Sequence, residues 1–108
     1  MNGRWIGVTV VLALAGLAAC TAAVGDETQV QRGKLLFTEQ GCYGCHMVEK
    51  YGTPIATDLS HVGSKWTVPE LTRWLEDPKA QRPTAHMPKI AMSKTDAAAL
   101  AAYLGSLR

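Results

Sequence analysis

Apolar and polar positions divide the chain into one continuous apolar stretch and three segments with helical periodicity. The first 24 residues, MNGRWIGVTVVLALAGLAACTAAV, include a single charged side chain, that of Arg4. The later segments repeat apolar side chains at intervals of three and four residues, a spacing that places them on one face of a helix. The pattern therefore predicts an apolar leader followed by an all-α domain over residues 25–108.

Each predicted helix has a recognisable start. The first follows a capping box at residues 26–29 (DETQ) and ends at Gly41. The second begins with the box at residues 67–70 (TVPE) and stops at Pro78, and the third begins at residues 93–96 (SKTD) and runs to the C-terminus. The predicted buried faces are Val30, Gly33, Leu36 and Phe37; Val68, Leu71, Trp74 and Leu75; and Ala97, Leu100, Tyr103, Leu104 and Leu107.

The segments 47–66 and 78–92 lie between these helices and are rich in Gly, Pro, Ser and Thr. No alternating run is long enough to predict a strand, so both segments are predicted to be long loops. Loops of this length in a small domain need a surface to pack against. A large apolar cofactor at the centre of the domain would provide one.

The apolar leader is typical of an export signal, with a cation first and small residues at its end. Residues 17–20 (LAAC) resemble the lipobox of bacterial lipoproteins, in which the leader is cut before a cysteine that becomes lipidated. This interpretation gives Cys20 the role of a membrane anchor. The alternatives are an uncleaved transmembrane anchor over residues 5–24, about 20 residues long, and a buried core helix. Either anchor places the domain on the extracytoplasmic side of a membrane.

Charge argues against some classes of partner. The chain has 11 Lys and Arg against 9 Asp and Glu, and Arg4 is the only one of these in the leader. The charges are scattered, and no basic block of the kind that binds phosphates is present, so nucleic-acid binding is not expected. The near balance also predicts little long-range electrostatic steering of a partner.

The motif at residues 42–46 (CYGCH) carries the strongest chemical signal in the chain. Cys42 and Cys45 followed directly by His46 form the Cys-x-x-Cys-His signature of c-type haem attachment. The two thiols can add to the two vinyl groups of the porphyrin, and the imidazole can then bind the iron. Three alternatives remain open: a thioredoxin-like redox pair, a zinc site completed by His61 and His86, and a disulfide between the two cysteines.

On these residues the chain resembles the class I c-type cytochromes of bacteria, which carry one haem. GKLLFTEQGCYGCH resembles the N-terminal helix and haem motif of that family, and MPKIAMSKTDAAALAAYLGSLR resembles its axial Met-Pro loop and C-terminal helix. The resemblance implies a small all-α fold of about three main helices around one covalent haem. It also implies that Gly33 and Phe37 meet Leu100 and Tyr103 where the terminal helices cross.

The resemblance further implies the roles of the haem ligands. Cys42 and Cys45 would form the thioethers, His46 would be the proximal ligand and Met87 the distal one. In the family a proline carbonyl directly before the Asp/Asn-Leu pair usually accepts the proximal imidazole N–H. Here that position is Thr57, and the nearest proline is Pro54, so either backbone carbonyl could be the acceptor.

The sixth iron ligand has competitors in the same region of the sequence. Met87 precedes Pro88, which favours an extended backbone that could cross the open haem face. Met92, His61, His86 and an open position are the alternatives. Two further residues, Trp66 and Lys65, are candidates for contacts to the haem propionates.

These features predict an electron-transfer protein with His/Met ligation rather than an enzyme. It would be tethered to a membrane and would exchange electrons with a membrane respiratory complex and with periplasmic-side reductases, oxidases or dehydrogenases. One alternative is a fixed haem c subunit of a larger respiratory or dehydrogenase complex. A haem enzyme or gas sensor is a further alternative, but it would need an open iron position.

Overall fold

The computed structural model describes residues 21–108, with side chains from residue 27 onwards. Residues 1–20 of the apolar leader, with the predicted lipidation site at Cys20, therefore lie outside the described residues. Two 3-10 turns, Cys42–Gly44 and Val62–Ser64, accompany the regular elements. These elements are α1 (Thr21–Glu39), β1 (Met47–Val48), β2 (Tyr51–Gly52), α2 (Val68–Glu76), α3 (Pro78–Gln81) and α4 (Lys94–Ser106). The all-α class predicted from the sequence is confirmed.

The core lies where α1 crosses α4, as the apolar faces predicted, but Val68 of the predicted α2 face is exposed. Leu36 and Phe37 of α1 and Leu100 of α4 are almost completely buried, and α2 also packs against α4. Phe37 contacts Tyr103 edge to face, with ring centres 5.7 Å apart. At the edge of the crossing, the Arg32 guanidinium of α1 lies 3.6 Å from the Asp96 carboxylate of α4.

Gly33 lets the two helices approach closely. A Cβ at this position would collide with the backbone carbonyl of Ala99 and with the Cβ of Tyr103. Backbone atoms cannot rotate away as a side chain can, so any larger residue must push α1 and α4 apart. The glycine is therefore a packing requirement, although alanine is the better helix former.

We expect Gly33→Ala to lower the free energy of unfolding by about 1–3 kcal/mol, the usual cost of overpacking a core. The matched control is Gly105→Ala in α4, whose added Cβ would meet the exposed side chain of Val68 rather than backbone. Denaturant titration of the haem-loaded variants measures both changes. If Gly33→Ala were as stable as Gly105→Ala, the close approach would not limit the crossing.

The hydroxyl of Tyr103 is enclosed by the same crossing. Burial, and to a smaller extent the neighbouring Tyr43 hydroxyl and the Glu49 carboxylate, together raise its pKa to about 12. A phenol with a folded pKa above its unfolded value of 10.0 contributes stability that is fully present below pH 10. That contribution is lost as the pH rises from about 10 to about 12.

Between pH 9 and pH 11.5 we therefore expect the stability of the wild-type protein to fall more steeply than that of Tyr103→Phe. The difference should reach about 1–2 kcal/mol, because one pKa unit corresponds to about 1.4 kcal/mol. Denaturant titrations at a series of pH values measure it. Parallel stability curves for the two proteins would show that ionisation of Tyr103 is not coupled to folding.

Two of the three predicted helix starts are confirmed and one is wrong. The Thr67 hydroxyl accepts the backbone N–H of Glu70, and the Ser93 hydroxyl accepts that of Asp96. The first helix is already helical at Thr21, the first residue that the structure describes, and runs through the predicted capping box instead of starting at it. The reason is that residues 21–25 (TAAVG) include two alanines and no proline, so the preceding turn stays helical.

The two predicted loops contain short elements that the sequence pattern did not indicate. Strands β1 and β2 pair antiparallel, with Met47 opposite Gly52 and Val48 opposite Tyr51. Glu49 occupies the connecting turn with a φ of 55°. The short helix α3 begins directly after Asp77, whose carboxylate accepts the backbone N–H of Ala80. Both predicted loops are therefore partly ordered, the first by a β-hairpin and the second by a short helix.

Within residues 21–108, no helix has the length and apolar character that crossing a membrane requires.

Candidate functional site

The two cysteines of the predicted attachment motif lie in a tight turn after α1. Gly41, with a φ of 76°, ends the helix and redirects the chain into the 3-10 turn Cys42–Gly44. The backbone N–H of His46 then donates to the Cys42 carbonyl over 2.9 Å. Both cysteines are free thiols, Cys42 half-buried and Cys45 exposed. Burial raises the pKa of the Cys42 thiol, and a backbone hydrogen bond partly offsets this effect.

The imidazole of His46 is fixed by a backbone carbonyl. Its Nδ1 lies 2.6 Å from the Thr57 carbonyl oxygen. Because that oxygen can only accept, Nδ1 carries the proton and donates, and Nε2 keeps its lone pair for a metal. Of the two acceptors left open by the sequence, Thr57 and Pro54, the structure shows that Thr57 makes the hydrogen bond.

Backbone hydrogen bonds hold the loop that carries Thr57 against the attachment motif. The Ala56 N–H donates to the Cys45 carbonyl over 2.7 Å, and the Leu59 N–H donates to the Met47 carbonyl over 2.9 Å. These bonds lie on either side of Thr57 in the sequence, so the acceptor carbonyl is held from both directions. The orientation of the His46 ring is thus set by the fold rather than by one flexible contact.

A small polar network ties the same loop to the β-hairpin. The Ser60 hydroxyl donates to the Asp58 carboxylate over 2.6 Å and accepts the backbone N–H of Glu49 over 2.6 Å. Hydrogen bonds from the Ser60 hydroxyl and backbone N–H lower the pKa of Asp58. Asp58 directly follows Thr57, so this network is a further restraint on the carbonyl that holds His46.

Met87 lies half-buried in the loop between α3 and α4, where it packs against the core. Its Sδ accepts the indole N–H of Trp74 over 3.2 Å. Met92 is also half-buried against the core, but it borders a surface groove beside α2 and α4. His61 and His86 are both exposed. Met87 as the sixth ligand stays a prediction, with these three and an open position as its alternatives.

Lys65 and Trp66, the predicted propionate contacts, lie between the second 3-10 turn and α2. They border a groove beside Gly105 and Arg108 near the end of α4. Trp66 is 53% exposed, so its indole N–H is accessible to a partner group. Contact of either side chain with a propionate remains a prediction.

The donor set fits the covalent haem implied by the motif. Two free thiols three positions apart can form two thioethers, and the imidazole behind them has a free Nε2 and a fixed ring. Met87 supplies a soft, neutral thioether, the kind of ligand found opposite histidine in c-type haem proteins. The zinc alternative would need further ligands, and no cluster of three or more His, Cys, Asp or Glu side chains occurs among the described residues.

Sequence reasoning missed two parts of this site. The Asp58–Ser60 network connects loop positions that follow no periodic pattern, although Asp-x-Ser is a common turn-forming sequence. The contact of Trp74 with Met87 was also missed, because the helical pattern assigned Trp74 to the apolar face alone. A half-buried tryptophan generally needs an acceptor for its N–H, and this requirement could have raised the question.

Comparisons with known proteins agree with this chemistry. The family model described as Cytochrome c matches residues 30–108. A curated relative, cytochrome c oxidase subunit 2 of Alkalihalophilus pseudofirmus, is 32% identical over 91 residues. The aligned region covers 76% of this chain but 27% of that relative, so the chain spans about a quarter of its length. No solved structure matches the chain.

Proposed function

The chain belongs to the cytochrome c family, and on that basis we propose that it carries one haem and transfers single electrons between protein partners. In this proposal Cys42 and Cys45 form the thioethers, and His46 and Met87 are the axial ligands. When bound, the haem supplies an iron that alternates between the ferric and ferrous states. Family membership itself implies a covalent c-type haem and electron transfer.

The observation that carries the proposed ligation is the hydrogen bond between His46 Nδ1 and the Thr57 carbonyl. It fixes the tautomer and the ring of a histidine that directly follows two free thiols. A ring held in this way does not need to reorganise when the metal charge changes. Small reorganisation is what an outer-sphere electron carrier requires, whereas an enzyme needs a position open to substrate.

The residues around the site complete this role. Cys42, Leu59 and Met87 are half-buried against the apolar core, so a haem held by the motif would meet an apolar surface on that side. An apolar environment disfavours the more highly charged ferric state and so raises the reduction potential. The thioether of Met87 favours the ferrous state as well. Both effects suit a carrier that accepts electrons from membrane complexes of lower potential.

Spectroelectrochemical titration of the purified holoprotein tests the proposal. We expect one reversible one-electron wave, and we expect the ferrous protein to resist carbon monoxide at neutral pH because both axial positions are filled. Rapid binding of carbon monoxide would instead support the class with an open iron position, a haem enzyme or a gas sensor.

A second candidate function is a fixed haem c subunit of a larger oxidase or dehydrogenase complex. The similarity to a cytochrome c oxidase subunit 2 favours it. Size-exclusion chromatography of detergent-solubilised native membranes separates the two candidates. A free carrier would elute near its own mass plus detergent, whereas a fixed subunit would co-elute with oxidase or dehydrogenase subunits.

We also propose that the domain is exported and tethered to a membrane. The support is the apolar leader and the lipobox-like residues 17–20 that end in Cys20. Mass spectrometry of the native N-terminus tests this. A lipid on Cys20, with no residues before it, would support the lipoprotein. An intact Met1 would favour the uncleaved anchor, and a soluble form starting near Ala23 would contradict both tethers.

A further inference from the structure

One uninterrupted helix joins the lipobox cysteine to the attachment motif. Helix α1 is already helical at Thr21, the residue after Cys20, and continues to Glu39, three positions before Cys42. A helix rises 1.5 Å per residue, so these 19 residues measure about 28 Å from end to end. The cytochrome c match begins at residue 30, so residues 21–29 of the same helix precede the matched domain.

The later part of α1 is built into the core and cannot swing relative to the domain. Leu36 and Phe37 are almost completely buried, and Gly33 lies so close to the Ala99 carbonyl of α4 that no Cβ would fit between them. Val30, the first residue of the matched domain, also packs against the core. Bending α1 here would open a close-packed crossing. The helix and the domain therefore move as one body.

The earlier part of α1 has the composition of a helical spacer. Flexible linkers are rich in Gly and Ser, whereas residues 21–29 (TAAVGDETQ) contain one glycine, no serine and no proline. This extension grows from a packed helix, so it avoids the nucleation cost that makes short isolated helices marginal. Gly25 is its weakest point, at about 1 kcal/mol relative to alanine. The extension is therefore stiff along its length.

The same segment lacks the features that hold a helix flat in a membrane interface. Interfacial helices carry Lys or Arg on the polar face and Trp, Phe or Leu on the apolar one. Residues 21–29 contain none of these five types, and their charged side chains are the acidic Asp26 and Glu27. The helix therefore has little affinity for the interface and should stand away from it.

We propose that α1 is a rigid helical spacer that holds the attachment motif at most about 30 Å above the membrane and so restricts its redox partners to proteins embedded in that membrane. This inference rests on the proposed tether and deepens the proposed electron-transfer function. A haem on such a spacer moves laterally with its anchor but cannot be carried outwards to a distant carrier. The uncleaved anchor would leave residues 25–39 above the membrane, about 22 Å of helix, so the conclusion holds for either tether.

Two insertions of equal length and different stiffness separate this spacer from a flexible tether. Both are placed between Gly25 and Asp26, upstream of the matched domain. The helical insertion, AEAAAKEAAAK, adds about three turns, so it raises the domain by about 16 Å and returns it to nearly the same face. The flexible insertion, GSGGSGGSGGS, adds the same number of residues without fixing the height of the domain.

The experiment follows electron exchange between the haem of the full-length protein and the redox enzymes of native membranes. We expect the helical insertion to slow this exchange at least about tenfold, because a stiff linker that cannot span two sites brings their effective concentration close to zero. The flexible insertion should slow it no more than about threefold, since effective concentration falls as roughly the −3/2 power of linker length. Ferricyanide, a small soluble oxidant, should oxidise all three proteins at the same rate.

The outcomes distinguish this inference from the proposals beneath it. Wild-type exchange rates in the helical insertion would overturn the spacer, and so would a flexible insertion as slow as the helical one, because stiffness would then not matter. A haem that ferricyanide cannot oxidise would contradict the proposed electron transfer. A soluble form starting near Ala23 would contradict both tethers. The inference falls with either of these last two results.

Measurements on the wild type test the spacer without any insertion. Amide hydrogen exchange should be slow over the later residues of the 21–29 segment when the lipidated protein is bound to vesicles of phosphatidylethanolamine and phosphatidylglycerol. Fast exchange throughout that segment would overturn the inference. In the same vesicles the haem should quench a fluorophore on the lipid headgroups, and the helical insertion should weaken this quenching. Equal quenching in the two proteins would show that α1 does not set the height of the haem.

Discussion

The Cys42→Ala, Cys45→Ala double variant should fail to accumulate as holoprotein, with at least about a tenfold loss of haem-stained protein. Without the thioethers nothing attaches the cofactor covalently. The half-buried residues that border the core, among them Leu59 and Met87, would lose the apolar group that the proposal places against them. A domain of this size buries a small core and is only marginally stable, so we expect it not to fold without the cofactor.

Haem staining and immunoblotting of membranes measure this outcome. Each single variant keeps one thioether, so both should accumulate at intermediate levels. Cys20→Ser is the control, since it removes a thiol of the same chain that the proposal does not assign to haem. It should keep its haem while changing membrane attachment. Normal levels of haem-containing double variant would show that the two thiols do not hold the cofactor.

Met87→Ala should have the second largest effect, a fall in reduction potential on the order of 100 mV, because the axial ligand is a principal determinant of haem potential. In the proposed ligation, loss of the thioether would remove the ligand that favours ferrous iron and would admit water to the vacated position. The weak long-wavelength charge-transfer band of the ferric protein should disappear. The ferrous protein should then bind carbon monoxide.

Met92→Ala is the matched control for that variant. Met92 is also a half-buried methionine against the core, so its truncation should lower the free energy of unfolding by about 2–3 kcal/mol. The charge-transfer band, the reduction potential and the resistance of the ferrous protein to carbon monoxide should stay nearly unchanged. If Met92→Ala removes the band and Met87→Ala does not, the ligand assignment is wrong, although electron transfer would survive. If neither alters the spectrum, His61 and His86 are the next residues to replace.

The crossing of α1 and α4 was predictable because it depends on local patterns. The spacing of Leu36, Phe37 and Leu100 places them on the helix faces that are buried, and Gly33 is at the point of closest approach. The caps of α2 and α4 were also predictable, since a hydroxyl three residues before an acidic residue satisfies a free backbone N–H. These signals are confined to a few neighbouring positions.

The short elements within the loops were missed for two different reasons: the strands give no sequence signal, and the signal for α3 was misinterpreted. Strands of two residues are too short to show an alternating pattern. Helix α3 did have a signal, because Asp77 followed by Pro78 is a favourable N-cap and first helical residue. Pro78 was interpreted only as the end of α2. A proline after an aspartate can end one helix and begin the next.

Only part of the site's geometry could be predicted from the sequence. Cys42, Cys45 and His46 are close together with a fixed spacing, so the sequence alone suggests a chemistry for them. The acceptor of the His46 N–H is a main-chain carbonyl, which any residue at position 57 can provide, and its identity therefore required the structure. The hydrogen bond from Trp74 to Met87 joins two segments whose relative placement only the packed fold determines.

The intact mass of the denatured protein, purified from native membranes, tests the central claim most directly. Thioethers survive unfolding, so the mass should equal that of the processed polypeptide plus one haem, together with the lipid if Cys20 carries one. After digestion, the haem should remain on the peptide that contains Cys42 and Cys45. A polypeptide mass without haem, with all the colour extracted into acid-acetone, would contradict covalent attachment at these two residues.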